Sequence, residues 1–170
     1  MYIVLDAIDS KAMAALQQDG RASWADLGTA LGLSAPAAAE RVRKLTEAGV
    51  VRGFTAVLDP QATGFPVLAF VAVTLAAQGA RTRFLDAVRR HDLIQECHHV
   101  AGDDDFLLKV RARSLTELEG LLADELKGRL GIARTRTTIV LGTAKETARL
   151  PIGPPAAART ARPRAARRRR

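Results

Sequence analysis

Cysteine, aromatic residues and long apolar runs are all scarce in this chain of 170 residues. Cys97 is its single cysteine, so no intrachain disulfide can form. Aromatic residues contribute 4% of the chain and hydrophobic residues together 48%, so any core must be largely aliphatic. The longest apolar run, residues 65–77, contains a proline and is too short to cross a bilayer, so no membrane partner is expected.

The two ends of the chain differ in charge. A signal peptide begins with basic residues, whereas this chain has Asp6 and Asp9 near its start. This difference favours a soluble cytoplasmic protein. The net charge is +8, but residues 151–170 contain seven arginines and no acid, which leaves the first 150 residues at +1. This Arg-rich tail of Pro, Ala, Gly and Arg cannot bury enough surface to fold and is predicted to be disordered. It is either a non-specific DNA anchor or a solvated extension without a binding role.

Residues 23–49 predict two short helices joined by a tight turn. Ser23 and Ser34 are suitable N-caps, and Gly32 suits the left-handed conformation that ends a helix. Pro36 falls in the first turn of the second helix, where its missing N–H costs nothing. The stripe facing the core consists of Ala38, Val42 and Leu45. This pattern is typical of a helix-turn-helix, whose second helix enters the major groove of DNA.

The outward face of that second helix carries small residues and then charged ones. Small residues let the backbone approach the bases, and cations can bind phosphates or a guanine edge. The alternative is a solvated amphipathic helix in an unrelated helical domain. The predicted DNA-binding residues are Ser23, Ser34, Pro36, Ala37, Glu40, Arg41, Arg43 and Lys44, with Arg41 on the flank.

The segments around the helix-turn-helix complete a small domain. A helix beginning at Asp6, with Asp9 at the capping-box position, is predicted to pack under the pair as a third helix. Residues 52–58 are predicted to form a strand that leads out of this unit. Proline and glycine between Asp59 and Pro66 predict a turn, and we place the domain boundary there.

The second half of the chain predicts a β-α-β-β-α-β order, which is the ferredoxin-like arrangement in an α+β protein. Its predicted elements are strands at 67–75, 94–101, 105–112 and 132–141, and helices at 83–91 and from Ser114, ending at Gly128 and Gly131. The first strand is apolar on both faces, although the helices of this fold cover only one. A second copy of the sheet on the other face would complete its burial, so we expect a homodimer.

Element order and motifs together resemble the Lrp/AsnC, or feast/famine, family of prokaryotic transcriptional regulators over about residues 4–152. The matching pieces are LDAID at 5–9, LQQDGR at 16–21, LGLSAPAAAERVRKLTEAGVVRGFTAVLDP at 31–60, ECHHVAGDDDFLLKV at 96–110 and TRTTIVLGTAKET at 135–147. The resemblance implies a winged helix-turn-helix domain at 1–52, a hinge strand and linker at 53–65, and a ferredoxin-like, ligand-sensing domain at 66–150. The tail at 151–170 lies outside the family pattern.

The resemblance also implies partners. These are double-stranded DNA, a second protomer, a ring of four dimers (an octamer) and an amino acid bound between dimers. In the family the turn after the second strand, with its Gly-x-x-Asp motif, contacts the ligand. Backbone N–H groups at such a turn can hold a carboxylate, and a carboxylate can hold an ammonium group. The implied effector residues are Gly102, Asp103, Asp105, Thr135, Thr137 and Thr138; the alternative is a solvated hairpin tip, with Asp104 expected at the surface.

Other chemistries find less support in the sequence. Strand alternation sends Cys97 and His99 to one face and His98 to the other, so these residues cannot share a metal ion. We find no nucleophile–base pair and no phosphate-binding loop, so neither an enzyme nor a cofactor is expected. The favoured function is a transcriptional regulator acting at the nucleoid and tuned by a small metabolite. The alternative is an architectural, nucleoid-type protein that wraps DNA with little sequence preference.

Overall fold

The computed structural model describes residues 4–76, 79–127, 130 and 132–153. The contacts between Cα atoms divide the chain into two compact units. Of the described residues, the helical unit contains 4–56 and 147–153, and the sheet unit contains those between 57 and 146. None of the helices in the described ranges is long and apolar enough to span a bilayer.

Three helices form the helical unit: α1 (Ala7–Gln18), α2 (Trp24–Leu31) and α3 (Ala35–Glu47). The predicted capping box of α1 is confirmed, since the backbone N–H of Asp9 donates to Asp6 at 2.7 Å and that of Asp6 donates to Asp9 at 2.9 Å. The serine caps of α2 and α3 are confirmed as well. The aliphatic core consists of Ala12, Met13, Leu27, Leu31, Ala38, Val42 and Leu45.

The turn between α2 and α3 depends on two glycines for different reasons. Gly32 has φ 68°, the left-handed conformation that the sequence predicted. Gly28 is buried, and a Cβ at this position would lie 2.8 Å from the carbonyl oxygen of Leu33. That approach lets the Leu33 N–H donate to the Gly28 carbonyl at 2.8 Å. The role of Gly28 could not be predicted, because nothing local in the sequence shows that α3 begins against it.

Some apolar residues of the helices lie outside the packed stripes. Trp24 is 48% exposed and Leu115 is 57% exposed. Each is the first residue of its helix, so it lies at the end of the row of apolar side chains that packs into the core. Ala30 is also exposed, because the two turns of α2 bury only Leu27, Gly28 and Leu31.

The strand predicted at residues 52–58 is not formed among the described residues. A strand exists only through hydrogen bonds to a neighbour, and no strand of this chain pairs with the segment. Its side chains are largely solvent-exposed, with Phe54, Val57 and Leu58 among the most exposed large apolar residues.

The sheet unit has the predicted ferredoxin-like order. Its elements are β1 (Val67–Leu75), α4 (Ala80–Arg90), β2 (Ile94–His99), β3 (Phe106–Ala112), α5 (Leu115–Gly120) continued by a π-helical segment (Leu121–Lys127), and β4 (Ile132–Ile139). The strands lie in the order β2-β3-β1-β4, and all neighbours are antiparallel. The π-helical segment was not predicted, and the glycines expected to end this helix, Gly128 and Gly131, lie outside the described residues.

One face of the sheet packs against the helices. Alternate residues of β1 and β3 are buried there, and the Phe84 ring of α4 lies 4.9 Å from that of Phe106. On the other face of β1, Leu68 and Ala72 are buried while Phe70 is 36% exposed. The expectation that β1 buries both faces is therefore met within one chain over most of the strand, with Phe70 exposed and Val67, Thr74 and Leu75 partly buried.

The segment after the last strand returns to the helical unit. The side chain of Gln17 accepts from the N–H of Leu150 at 2.6 Å and donates to its carbonyl at 3.1 Å. Ile152 packs against the aliphatic core of the helices. Residues 147–153 therefore belong with α1, although the sequence assigned those up to 150 to the sheet domain.

We expect Gly28→Ala to destabilise the helical unit by about 1–3 kcal/mol, the usual cost of overpacking a tight site. The added Cβ would meet backbone atoms, which cannot move aside without opening the turn. Thr29→Ala is the matched control, since it places an alanine at the next, exposed position of α2 and should leave stability nearly unchanged. Thermal and urea unfolding measure both variants, and equal stability of the two would contradict the close-packed turn.

Candidate nucleic-acid interface and effector turn

The outward face of α3 is exposed, as predicted. Ala38, Val42 and Leu45 seat the helix in the core, which turns its opposite side to solvent. The residues on that side are Pro36, Ala37, Glu40, Arg43 and Lys44. Ser34 caps the helix by accepting the N–H of Ala37 at 3.4 Å, and Ser23 caps α2 by accepting the N–H of Asp26 at 3.1 Å. The first turns of both helices are thereby fixed, and the small residues at the start of α3 lie open.

The charges on this face are paired with one another. Arg43 donates to Glu40 from Nε at 2.8 Å and from Nη2 at 2.7 Å, and it also contacts Glu47. The Nζ of Lys44 lies 3.7 Å from Glu40. The hydrogen bond from Arg43 holds the pKa of Glu40 below its usual value, so the carboxylate stays ionised at neutral pH. A duplex would therefore meet two cations and two carboxylates here, rather than a purely basic surface.

Arg41 does not belong to the exposed face. Its Nη1 lies 2.7 Å from the carboxylate of Asp6 and 2.6 Å from that of Asp9. The hydrogen bond to Asp9, followed by that to Asp6, raises the pKa of Arg41 above its usual value. Arg41 thus connects α3 to the capping box of α1, and it is placed as a clamp rather than as the free phosphate contact that the sequence suggested. The sequence predicted the acidic capping box of α1. It did not predict the pairing of these carboxylates with Arg41, because the residues lie far apart in the sequence.

Asp104, in the turn between β2 and β3, is buried at 9% exposure, so the prediction that it lies at the surface is wrong. Its carboxylate lies 3.2 Å from Nη2 of Arg134 and 2.8 Å from Nη2 of Arg136, and it accepts from the Thr74 hydroxyl at 3.2 Å. The pairing of β1 with β4 sets Arg134 opposite Thr74 and Arg136 opposite Ala72, on one face of the sheet. Both arginines come near the turn through this register, which the sequence does not reveal.

The other residues of the turn have separate roles. Asp105 attaches the turn to β1, because its N–H donates to the Val73 carbonyl and its carboxylate accepts the Leu75 N–H at 2.8 Å. Gly102 has φ 142°, which favours glycine. Asp103 is exposed, and its carboxylate has no hydrogen-bond or ion-pair partner within the described ranges. Of the three acids, Asp103 is the one available to a ligand.

The threonines predicted for the effector site divide between the two faces of β4. Thr135 and Thr137 pair with Val73 and Val71, so they lie on the helix-covered face. Thr138 pairs with Phe70 on the opposite face. The six predicted effector residues therefore do not converge on one face of a single chain, whereas Arg134 and Arg136, which were not predicted, lie beside the turn.

The alternation predicted for Cys97, His98 and His99 is confirmed. Cys97 packs against the core, and burial raises the pKa of its thiol. His99 is exposed, and its ring lies 5.3 Å from that of the buried Phe106. The Nε2 of His98 lies 3.0 Å from the carboxylate of Glu96. This hydrogen bond is the main cause that lowers the pKa of Glu96 below its usual value. These side chains are occupied in packing and in local pairing.

Comparisons with known proteins agree on both units. Residues 5–46 match the AsnC-type helix-turn-helix domain, and residues 68–150 match the Lrp/AsnC ligand binding domain. The HTH-type transcriptional regulator FL11 of Pyrococcus horikoshii is 39% identical over 153 residues, which cover 89% of this chain and 99% of that protein. The leucine-responsive regulatory protein of Escherichia coli K12 is 39% identical over 150 residues, 87% of this chain and 92% of that protein. A transcriptional regulator of Neisseria meningitidis, solved in complex with L-methionine, has a TM-score of 0.82 at 29% identity, covering 87% of this chain and 97% of that one.

If Arg41 is a clamp, removing either side of the clamp should have the same effect. We expect Arg41→Met and Asp9→Asn each to lower the stability of the helical unit by about 1 kcal/mol, the low end for a partly exposed hydrogen bond to a charged group. Both should also weaken duplex binding, because α3 loses its fixed position. Thermal unfolding and a fluorescence titration with duplex DNA measure these effects.

The exposed Arg21 provides the control, and Arg21→Met should change stability little. A phosphate contact by Arg41 predicts a different pattern. Arg41→Met alone would then weaken binding, while Asp9→Asn, which removes a negative charge, would leave binding unchanged or strengthen it.

Proposed function

This chain belongs to the Lrp/AsnC family of transcriptional regulators, and we propose that it reads an operator duplex with α3 and is tuned by an apolar amino acid bound at its sheet unit. The observation that carries the DNA half is the exposed outward face of α3, seated by a buried aliphatic stripe. A regulator with this function acts in the cytoplasm, at the nucleoid.

The residues of the two-helix motif take different roles in this proposal. In helix-turn-helix proteins the N-terminal residues of the second helix contact base edges. Pro36 and Ala37 allow that close approach, while Glu40 can accept from the amino group of cytosine. Ser23 and Ser34 lie at helix N-termini, where backbone N–H groups favour phosphates. Arg43 and Lys44 supply phosphate contacts once they exchange their carboxylate partners for the duplex.

The effector half of the proposal rests on the chemistry around Gly102. Asp103 can bind an ammonium group, and Arg134 and Arg136, both more than half exposed, can bind a carboxylate. These two charges are the parts that all α-amino acids share. Leucine is named in the Escherichia coli relative, and methionine is bound in the Neisseria meningitidis structure. Both amino acids have apolar side chains of medium size. We therefore propose an apolar α-amino acid as the effector, with the threonines of β4 contributing contacts in an assembly.

We further propose that the protein is a homodimer, and that four dimers form a ring as the family resemblance implies. Phe70 lies exposed at the centre of the sheet face that the helices leave open. Residues 52–58 form neither helix nor strand, and they expose Phe54, Val57 and Leu58 without a strand partner among the described residues. Apolar side chains in such numbers on an unpaired segment favour burial against a second protomer.

Selection from random duplexes should recover a short, roughly palindromic site. One or more apolar amino acids should raise the melting temperature of the protein and change its affinity for that site.

Asp103→Asn should weaken binding of the amino acid by about tenfold or more, since a hydrogen bond to a charged group contributes about 1.5–3 kcal/mol. Asp124→Asn, another exposed acid of the same unit, should bind it normally. A flat response to all twenty amino acids would contradict the effector half, and failure to select any site would contradict the DNA half.

Sedimentation equilibrium should show a dimer or a multiple of it at micromolar concentration. Phe70→Asp should raise the dissociation constant at least about a hundredfold, because an unpaired carboxylate is costly to bury. Leu115→Asp alters an apolar residue that is exposed at the start of α5 and should leave association intact. A monomeric native protein, or a Phe70→Asp variant that associates normally, would contradict the proposed dimer.

A further inference from the structure

Glu40 is an acid on the side of α3 that faces solvent. Ala38, Val42 and Leu45 seat the opposite side of the helix in the core, and the Glu40 side chain is 47% exposed. A DNA duplex carries one negative charge for about every 1.7 Å of its axis, so it would repel a bare carboxylate on this side. Glu40 is compatible with binding only if a cation neutralises it and if the duplex offers it a hydrogen-bond donor.

Arg43 supplies the cation. Its Nε donates to Oε2 of Glu40 at 2.8 Å and its Nη2 donates to Oε1 at 2.7 Å, so two parallel hydrogen bonds join the two side chains. This bidentate arrangement fixes the orientation of the carboxylate as well as its charge. The Nζ of Lys44 is a second cation, 3.7 Å from Oε1 and beyond hydrogen-bond distance. Glu40 is thus held ionised and oriented, beside enough positive charge to approach a phosphate backbone.

The two hydrogen bonds from Arg43 leave acceptor sites of Glu40 available. A carboxylate has about four lone-pair sites, and Arg43 occupies one on each oxygen. An ionised carboxylate cannot donate, so a base that it contacts must supply the donor. In the major groove the only base donors are the N4 amino group of cytosine and the N6 amino group of adenine. The chemistry of Glu40 therefore admits two of the four bases.

Cytosine fits this acceptor better than adenine. The amino group of adenine lies between two acceptors, its own N7 and O4 of the paired thymine, and both repel a carboxylate. The amino group of cytosine has an acceptor on one side only, which is O6 of the paired guanine. Adenine is matched instead by asparagine or glutamine, whose amide can donate to N7 and accept from N6. A carboxylate at this place in the helix therefore favours cytosine.

The position of Glu40 in α3 suits contact with a base. In helix-turn-helix proteins the N-terminal part of the second helix contacts base edges. Ser34 is the N-cap of α3, so Glu40 lies in the second turn. Ala37, one turn earlier on the same side, is exposed and carries only a methyl group. The side chain at position 37 therefore does not hold Glu40 away from the groove.

From these hydrogen bonds, this acceptor and this position, we propose that Glu40 determines a cytosine in each half-site of the operator, and that Arg43 is the residue that positions its carboxylate. The proposal rests on the proposed function and names a base that α3 reads. Arg43 keeps its two hydrogen bonds to Glu40 on the duplex, and its Nη1, which contacts Glu47, is the group that turns to a phosphate. An exposed ion pair that only stabilised the helix would leave base preference unaffected.

Selection from random duplexes tests this assignment with the native full chain and with Glu40→Ala, Glu40→Gln, Arg43→Lys and Glu47→Gln. The native motif should contain a cytosine whose replacement weakens binding at least about fivefold, the low end for one mismatched base pair. Glu40→Ala should reduce that preference to within about twofold and keep the rest of the motif. Glu40→Gln should change the preferred base at that position from cytosine to adenine.

The other two variants separate positioning from charge. Arg43→Lys keeps the positive charge but cannot form two parallel hydrogen bonds, so the preference for cytosine should fall at least about twofold while the salt dependence of binding stays native. Glu47→Gln is the matched control, because it changes another exposed acid of α3 that Arg43 contacts, and it should select the native motif. All four variants should melt near the native temperature, since the altered side chains are exposed.

A Glu40→Ala protein that selects the native motif with the native preference at every position would overturn the assignment and leave the proposed function intact. A motif weakened at all positions, together with a lower melting temperature, would also overturn it, because Glu40 would then act through the stability of the helix. A native preference for another base at the position that depends on Glu40 would contradict the choice of cytosine. An unchanged preference in Arg43→Lys would overturn the positioning role. Failure of the native protein to select any duplex would contradict the proposed function itself.

Discussion

Two carboxylates that lie almost out of water, Asp9 and Asp104, depend on arginine partners, and this dependence organises both candidate sites. A buried carboxylate is costly unless it is paired and hydrogen-bonded. Asp9 meets that requirement with Arg41, which brings α3 against the start of α1. Asp104 meets it with Arg134 and Arg136, which bring β4 against the turn after β2. In each unit an ion pair between distant parts of the chain therefore fixes an element of the candidate site.

The same pairing determines the charge of the surface that α3 exposes. Arg41 is held by Asp6 and Asp9, and Arg43 is held by Glu40 and Glu47, so the helix has a fixed position and a surface of mixed charge. A surface of mixed charge suits discrimination between bases more than strong attraction to phosphates.

Local signals in the sequence predicted the local structure. The serine caps, the stripe of Ala38, Val42 and Leu45 and the alternation of β3 each depend on residues a few positions apart. The order of these local elements, β-α-β-β-α-β, predicted the ferredoxin-like topology, and the family resemblance implied the same fold. What escaped prediction lies in contacts between distant residues: the pairing of Arg41, the burial of Asp104, the close packing at Gly28 and the return of residues 147–153 to α1. The segment at 52–58 was misassigned for the same reason, because a strand needs a partner that the sequence of one segment cannot show.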